Sequence, residues 1–422
     1  MKQTKKLLAL ALSLLLCLSL GTAAFAAYDP TTNSSGPVDT PDVTGIVKTL
    51  AIADGTTLPA QDYTFAFTPG TSTDADTFPG EAFETTIAST DMVQNVNLYT
   101  GSKTISEIFG TLPAHGITHA GVWIFNVKEN TTDTVSDLNP TADADGNKLY
   151  KQLKCDTTSE YVLRLYVVNS ASGGIEISYI TVEKGGEKVD PKIQQTEDPT
   201  SGTTGGVSTN ASGFKFENSY TEWIEGPGPG PGPGPGPNPT PNPSEKGAFT
   251  VKKILTGDFG DKTKQFDIFV TVTKPATMEL PDSESALLTG VSGVIFRAAT
   301  PEAPNGTVET LSIPYGTKTK VALSDGDVFS VEKMVVGTKY EIAEDNLPAN
   351  YTLTEITENN KTLSSSDTSG LHPQVKNEFD DSSITPTGII VNNLPFVLVV
   401  VLAIGGIVVF FMANRRRREE EN

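Results

Sequence analysis

Phe214-Lys215-Phe216-Glu217-Asn218-Ser219-Tyr220 alternates aromatic and polar side chains, and this alternation decides the fold. Successive side chains of a strand point to opposite faces. Phe214, Phe216, Asn218 and Tyr220 therefore share one face, which must be core, and an amide sits among the rings. Further upstream, Trp123-Ile124-Phe125-Asn126-Val127-Lys128-Glu129 puts Glu129 on the face of Trp123, Phe125 and Val127. Near the start, Ile46-Val47-Lys48-Thr49-Leu50 puts Lys48 on an apolar face with Ile46 and Leu50.

The same arrangement returns in the second half of the chain. Phe249, Val251 and Lys253 share a face; so do Tyr340, Ile342 and Glu344, and then Val375, Asn377 and Phe379. Each half thus places Lys, Glu and Asn, in that order, on apolar faces of its first, a middle and its last strand. Buried singly, each would be costly. Together they have a chemical use. Burial lowers a Lys pKa and raises a Glu pKa, by as much as ~3–5 units when complete. A neutral amine can then attack the Asn side-chain carbonyl, while a protonated Glu polarises that carbonyl and passes a proton to the departing ammonia. The product is an intramolecular Lys–Asn isopeptide bond. The plainer alternative is a Lys at a strand end, a turn Asn and a surface Glu; a repeat in the same order favours the chemistry.

Other β-branched and aromatic runs fill in the strands: Tyr161 to Val168 and Ser178 to Val182 in the first half, and Phe266 to Thr273, Val328 to Val331 and Tyr351 to Ile356 in the second. Turn residues separate them and no long helical period stands out. The expectation is an all-β chain of two tandem β-sandwiches, spanning residues 43–224 and 246–381. Between them, 225–245 is a Gly/Pro-rich linker with strict Gly-Pro alternation from Gly226 to Pro237. Each proline fixes φ and lacks a donor, so this segment reads as an extended spacer that would make the molecule jointed. It lacks the three-residue glycine period of collagen.

Both ends read as export and anchoring signals. Residues 1–26 form a signal peptide: Lys2, Lys5 and Lys6, an apolar run from Leu7 to Leu20, then Ala24-Phe25-Ala26. At the other end, residues 394–413 are long and apolar enough for a transmembrane helix. Four arginines, Arg415 to Arg418, make 414–422 a cytoplasmic basic tail. Just before the helix, 384–388 (Ile384-Thr385-Pro386-Thr387-Gly388) resembles a sortase sorting motif. A sortase cysteine would cut after Thr387 and hold it as a thioester until an amine takes it.

The chain has 422 residues and a net charge of −20. Such acidity argues against nucleic acid. Of its two cysteines, Cys17 leaves with the signal, so Cys155 has no disulfide partner. His115, His119 and His372 form no ligand cluster. Asp143-Ala144-Asp145-Gly146-Asn147 lacks the later ligands of a calcium loop. No cofactor or metal is expected, and no enzyme: cross-linking triplets act once and do not turn over.

These residues carry a resemblance. Val47-Lys48, Gly121 to Glu129, Asp156-Thr157-Thr158-Ser159, Phe214 to Ser219, Phe249 to Gly257, Phe259 to Lys264, Tyr340 to Asp345 and the Pro-Thr-Gly signal together resemble the streptococcal T-antigen (FctA-type) backbone pilins. The resemblance implies an FctA-type first sandwich and a CnaB-type second one, both Ig-like. It implies one isopeptide bond in each: Lys48–Asn218 with Glu129 as catalyst, and Lys253–Asn377 with Glu344, Lys252 being the alternative lysine on the opposite face. It also implies a polymerising lysine, which falls on Lys188 of Lys184-Gly185-Gly186-Glu187-Lys188-Val189, with Lys184 and Lys192 as competitors. The function implied is the backbone subunit of a pilus at a Gram-positive cell wall. Its partners would be a sortase, further copies of itself in a head-to-tail covalent polymer, peptidoglycan or minor pilins, and a host surface ligand. The alternative is a monomeric wall-anchored adhesin. Two features depart from the family: the Gly-Pro spacer, and a polar segment from Lys192 to Gly213 that reads as a disordered insertion between Lys188 and Phe214.

Overall fold

The computed structural model describes residues 40–72, 77–193, 195–197, 204–207, 213–227, 247–297, 307–383, 396 and 398–412. The signal peptide 1–26, the sorting motif 384–388, the tail 414–422 and most of the Gly/Pro-rich segment lie outside them. The regular structure of the chain is mostly β. Its first half contains β1 (Gly45–Ile52), β2 (Tyr63–Pro69), β3 (Thr77–Pro79), β4 (Phe83–Ile87), β5 (Val93–Asn95), β6 (Leu98–Thr104), β7 (Gly121–Glu129), β8 (Lys148–Lys154), β9 (Glu160–Asn169), β10 (Ile175–Lys184), β11 (Glu187–Val189), β12 (Gln195–Glu197), β13 (Thr204–Val207) and β14 (Lys215–Glu225). The second half contains β15 (Phe249–Thr256), β16 (Phe266–Thr273), β17 (Gly290–Arg297), β18 (Thr307–Pro314), β19 (Thr319–Leu323), β20 (Val328–Val331), β21 (Lys333–Val335), β22 (Lys339–Asp345), β23 (Tyr351–Ile356) and β24 (Gln374–Phe379).

In the first half, one sheet runs β14-β1-β6-β5 with β8 beside β14, and the other runs β11-β10-β9-β7-β2-β4. Phe65, Phe67, Phe125, Tyr161, Phe214 and Phe216 are buried between them. In the second half the sheets run β18-β17-β20-β15-β24-β23 and β19-β16-β22. Phe249, Val251, Ile268, Val270, Phe329 and Tyr340 lie in that core. In both halves the first strand pairs in parallel with the last, β1 with β14 and β15 with β24. These contacts join residues far apart in sequence, so the alternating pattern, and not local propensity, fixes them.

The Gly/Pro-rich segment does not separate the halves, which corrects the expected joint. β14 continues past the first core and pairs with β21 of the second half through Trp223↔Val335, Ile224↔Met334 and Glu225↔Lys333. Gly226 N–H donates to Glu332 O at 2.7 Å and Val336 N–H to Glu222 O at 2.9 Å. A Cβ placed on Gly226 would meet Gly247 Cα at 2.6 Å, so the two ends of the segment lie side by side. The halves are held by their own contacts, whatever the length of chain between those ends. Trp223 stacks on Tyr150, with ring centroids 5.1 Å apart, and packs with Leu287 and Val335. Lys333 bonds Glu284 at 2.8 Å and Glu225 at 3.0 Å. Burial opposes its charge, yet these two carboxylates hold its ammonium well above the usual lysine range. Trp223→Ala is expected to cost about 3–5 kcal/mol and to split thermal unfolding into two steps. A single transition at the unchanged midpoint would contradict this account of the junction.

The polar segment between Lys192 and Gly213 follows the same rule. Gly213 N–H donates to Asp190 O at 2.6 Å, and Gly213 lies against Val189. The end of β11 and the start of the last strand are thus adjacent despite the insertion. Two pieces of that insertion, β12 and β13, pair antiparallel. Near the C-terminus, residues 398–412 are helical and exposed. That stretch is about 22 Å long. Among the described residues, no helix is long and apolar enough to cross a membrane; part of the span expected over 394–413 lies outside them.

Candidate functional site

Two buried Lys–Glu–Asn clusters occupy equivalent places in the two cores. Lys48 lies opposite Phe216 in the parallel β1–β14 pair, and Lys253 lies opposite Val375 in the β15–β24 pair. Each Asn follows two positions later, at Asn218 and Asn377. Residues two apart on a strand share a face, so each amide sits one pleat from its lysine on the same inner face. The Glu comes from the facing sheet: Glu129 ends β7, and Glu344 lies on β22. Lys48, Lys253 and Asn377 are wholly inaccessible, and the Glu129 and Glu344 side chains nearly so.

In the first cluster, Lys48 Nζ lies 2.7 Å from Glu129 Oε2. Asn218 Nδ2 donates to Glu129 Oε1 at 2.8 Å. Thr131 Oγ1 donates to that same oxygen at 2.7 Å, and the backbone N–H of Asp156 donates to Asn218 Oδ1 at 2.7 Å. In the second cluster, Lys253 Nζ lies 3.3 Å from Glu344 Oε1, and Asn377 Nδ2 donates to that oxygen at 2.8 Å. Asn377 Oδ1 is buried with no hydrogen-bond partner among the described residues. Each ammonium lies against a ring, Lys48 5.1 Å from Tyr63 and Lys253 4.4 Å from Phe266.

Burial pushes both lysines down. Lys48 falls below the ordinary lysine value because desolvation outweighs attraction to Glu129. Lys253 falls to about 8 for the same reason, with Glu344 opposing. A lysine near 8 is partly neutral, and hence nucleophilic, at ordinary pH. The neutral fraction grows as pH rises through that value. Any acylation of Lys253 should therefore accelerate about 25-fold between pH 6.5 and 8.5 and level off above about pH 9. A flat rate over that range would mean that its deprotonation does not limit the step.

The structure brings Lys48, Glu129 and Asn218 together, and likewise Lys253, Glu344 and Asn377. Lys253, and not Lys252, faces its Glu. One expected role is corrected. Both carboxylates meet the Asn amide nitrogen and not the carbonyl, because the carboxylate is an acceptor and the NH₂ group is the donor it can satisfy. Sequence reasoning assigned no part to Thr131 or Asp156. The signal for Asp156 was the Asp-Thr-Thr-Ser run, an Asx-turn pattern.

Lys188 is exposed on β11. It follows the two-residue turn Gly185-Gly186, where both residues have positive φ (60° and 86°), the backbone that such a hairpin requires. Pro386, Thr387 and Gly388 lie outside the described residues. Cys155 is half-buried, and burial pushes its thiol up to about 11, which disfavours the thiolate form. Asp143 Oδ1 accepts the N–H groups of Asp145 and Asn147, closing that loop as a turn. Among the described residues no His, Cys, Asp and Glu group could hold a metal.

Residues 247–378 match a family described as "Domain of unknown function (DUF7601)", less than a third of the chain. No curated protein matches the sequence. Among solved structures, the chain is similar to the major pilin from Streptococcus pyogenes at 17% identity, covering 80% of this chain and 98% of that one, with a TM-score of 0.30. It is similar to a T-13 major pilin of the same species at 15% identity, covering 82% and 100%, with a TM-score of 0.28. The shaft pilin SpaA from Lactobacillus rhamnosus is similar at 9% identity, covering 80% and 98%, with a TM-score of 0.14.

Proposed function

We propose that this chain is the structural backbone subunit of a sortase-polymerised pilus anchored to a Gram-positive cell wall, and that each of its two Ig-like domains closes one Lys–Asn isopeptide bond. The observation that carries this reading is the repeated cluster. Two cores with different sequences place a buried Lys on the first strand and a buried Asn on the last in the same register, with a buried Glu from the facing sheet between them. The neutral amine of Lys48 attacks Cγ of Asn218, the Nζ–Cγ bond forms, and the Cγ–Nδ2 bond breaks. The Glu129 carboxylate takes a proton from Nζ and gives that proton to Nδ2, so the nitrogen leaves as ammonia. Lys253, Glu344 and Asn377 act alike.

The bonds tie first strand to last, so load entering at one pole passes through covalent linkages instead of ladder hydrogen bonds. The signal peptide, sorting motif and apolar C-terminal run, read from sequence, supply export, attachment and transient membrane retention. Pro386, Thr387 and Gly388 are the proposed sortase recognition and cleavage residues, and Lys188 is the proposed acceptor. The test is intact mass of the full chain in detergent, with peptide mapping. A deficit of two ammonias, with Lys48 joined to Asn218 and Lys253 to Asn377, is expected. An unshifted mass would sink the isopeptide assignments.

A further inference from the structure

In the bond-forming step just proposed, negative charge collects on Oδ1 of Asn218 when Nζ adds to Cγ. The Glu129 carboxylate cannot stabilise it, since it faces the amide nitrogen. A different group faces that oxygen. We infer that the Asp156–Ser159 turn is the oxyanion site of the first cluster, its donor being the backbone N–H of Asp156. The electron pair of the carbonyl moves onto Oδ1 as the Nζ–Cγ bond forms, then returns as Cγ–Nδ2 breaks and ammonia leaves. This inference rests on the isopeptide reading and deepens it.

The turn is built for one orientation. Asp156 N–H reaches Oδ1 at 2.7 Å, inside the range expected of an oxyanion donor. The Asp156 carboxylate folds back on its own loop. Its Oδ1 accepts Ser159 N–H at 2.9 Å, and Thr158 N–H and Oγ1 each at 3.2 Å. Its Oδ2 accepts Glu217 N–H at 3.4 Å, from the residue preceding Asn218. One residue thus grips the strand backbone with its side chain and the Asn218 side chain with its backbone. Ser159 is fixed in turn by Lys184 Nζ at 2.9 Å. Asn218 is 3% exposed, so the oxygen has little help from water. The second cluster supplies the contrast. Asn377 Oδ1 is buried and has no donor among the described residues.

Two results should follow. In the wild-type chain the Lys48–Asn218 bond forms at least tenfold faster than the Lys253–Asn377 bond, because one oxyanion donor is worth about 10²–10³ in rate. In Asp156→Ala the first bond slows by about that factor while the second is unchanged; Asp156→Asn, whose side-chain oxygen can accept the same N–H groups, stays near wild type. The full chain is translated without cells in detergent, sampled over time, and digested to quantify each cross-linked peptide. The second bond reports folding within the same molecule. The inference is overturned if the wild-type order is reversed, if Asp156→Ala closes the first bond at the wild-type rate, or if Asp156→Asn is as slow as Asp156→Ala. A wild-type chain that forms neither bond would instead overturn the isopeptide reading itself.

Discussion

Glu129→Ala is expected to retain one of the two ammonias that wild type loses, once the mass change of the substitution itself is allowed for, and to lower the melting temperature of the first half by on the order of 20–30 °C. Two losses add. Lys48 has no exposure to water, and Glu129 is its ion-pair partner. In the variant, which stays uncross-linked, the Lys48 amine remains buried without its carboxylate, which costs about 3–5 kcal/mol. The cross-link also disappears. By the chain-entropy relation for disulfides, closing a loop from Lys48 to Asn218 is worth about 5 kcal/mol. The sum is comparable to the whole stability of a typical domain, about 5–15 kcal/mol. Glu344→Ala should do the same to the second half, where Lys253 and Asn377 close the loop. Glu129→Gln separates the two losses: it keeps the side chain's shape and hydrogen-bonding capacity but cannot exchange protons, so it should fold, fail to cross-link, and melt at an intermediate temperature. A Glu129→Ala chain that still falls two ammonias short of its own sequence mass would show that Glu129 is dispensable to the bond, and the assigned proton transfers would fall with it.

The strands and both clusters were legible because burial in a sheet has a period of two. Lys48 between Ile46 and Leu50, Glu129 after Val127, and Asn218 between Phe216 and Tyr220 each break an apolar face at one position, and a single break marks a buried polar group. The runs Phe266–Thr273, Val328–Val331 and Tyr351–Ile356 coincide with β16, β20 and β23. The junction was not legible. Nothing in the Gly-Pro alternation says that Gly226 and Gly247 touch, because the contact depends on Trp223 and Glu225 meeting Val335 and Lys333, a pairing between distant segments. The Asp156 contact was hidden for a related reason. A backbone N–H has no sequence signature; only the side chain that orients it does, and Asp-Thr-Thr-Ser reads equally well as an ordinary loop. The direction of the Asn218 amide was likewise invisible, since it is set by one donor from the Asp156 turn and one acceptor at the end of β7.

If the chain polymerises as proposed, Lys188→Ala is expected to abolish the high-molecular-weight ladder that wild type gives when incubated with a sortase, whereas Lys184→Ala and Lys192→Ala should leave the ladder intact. The three lysines sit within nine residues but differ in what holds them. Lys184 Nζ donates to Ser159 Oγ at 2.9 Å and lies 5.1 Å from the Tyr161 ring. Lys192 Nζ lies 3.5 Å from Asp190. Lys188 is exposed beyond a tight Gly-Gly turn. The strand directions then set the polarity. β1 and β14 run in parallel from Gly45 and Lys215 toward the junction, and β11 lies at their starting end, where Val189 meets Gly213. β15 and β24 run in parallel away from the junction toward Thr256 and Phe379. Lys188 therefore stands at the outer pole of the first half, and Ser383, the last residue described before the sorting motif, follows the outer end of the second. Thr387 is four residues further on, a reach of about 14 Å if extended. Lys188 at one pole and Ser383 at the other, with the two paired halves between them, suit the proposed end-to-end joining of copies. Peptide mapping of the ladder should find Thr387 on Lys188. An unchanged ladder from Lys188→Ala would move the linkage to another lysine, and no ladder from the wild-type chain would favour the monomeric adhesin.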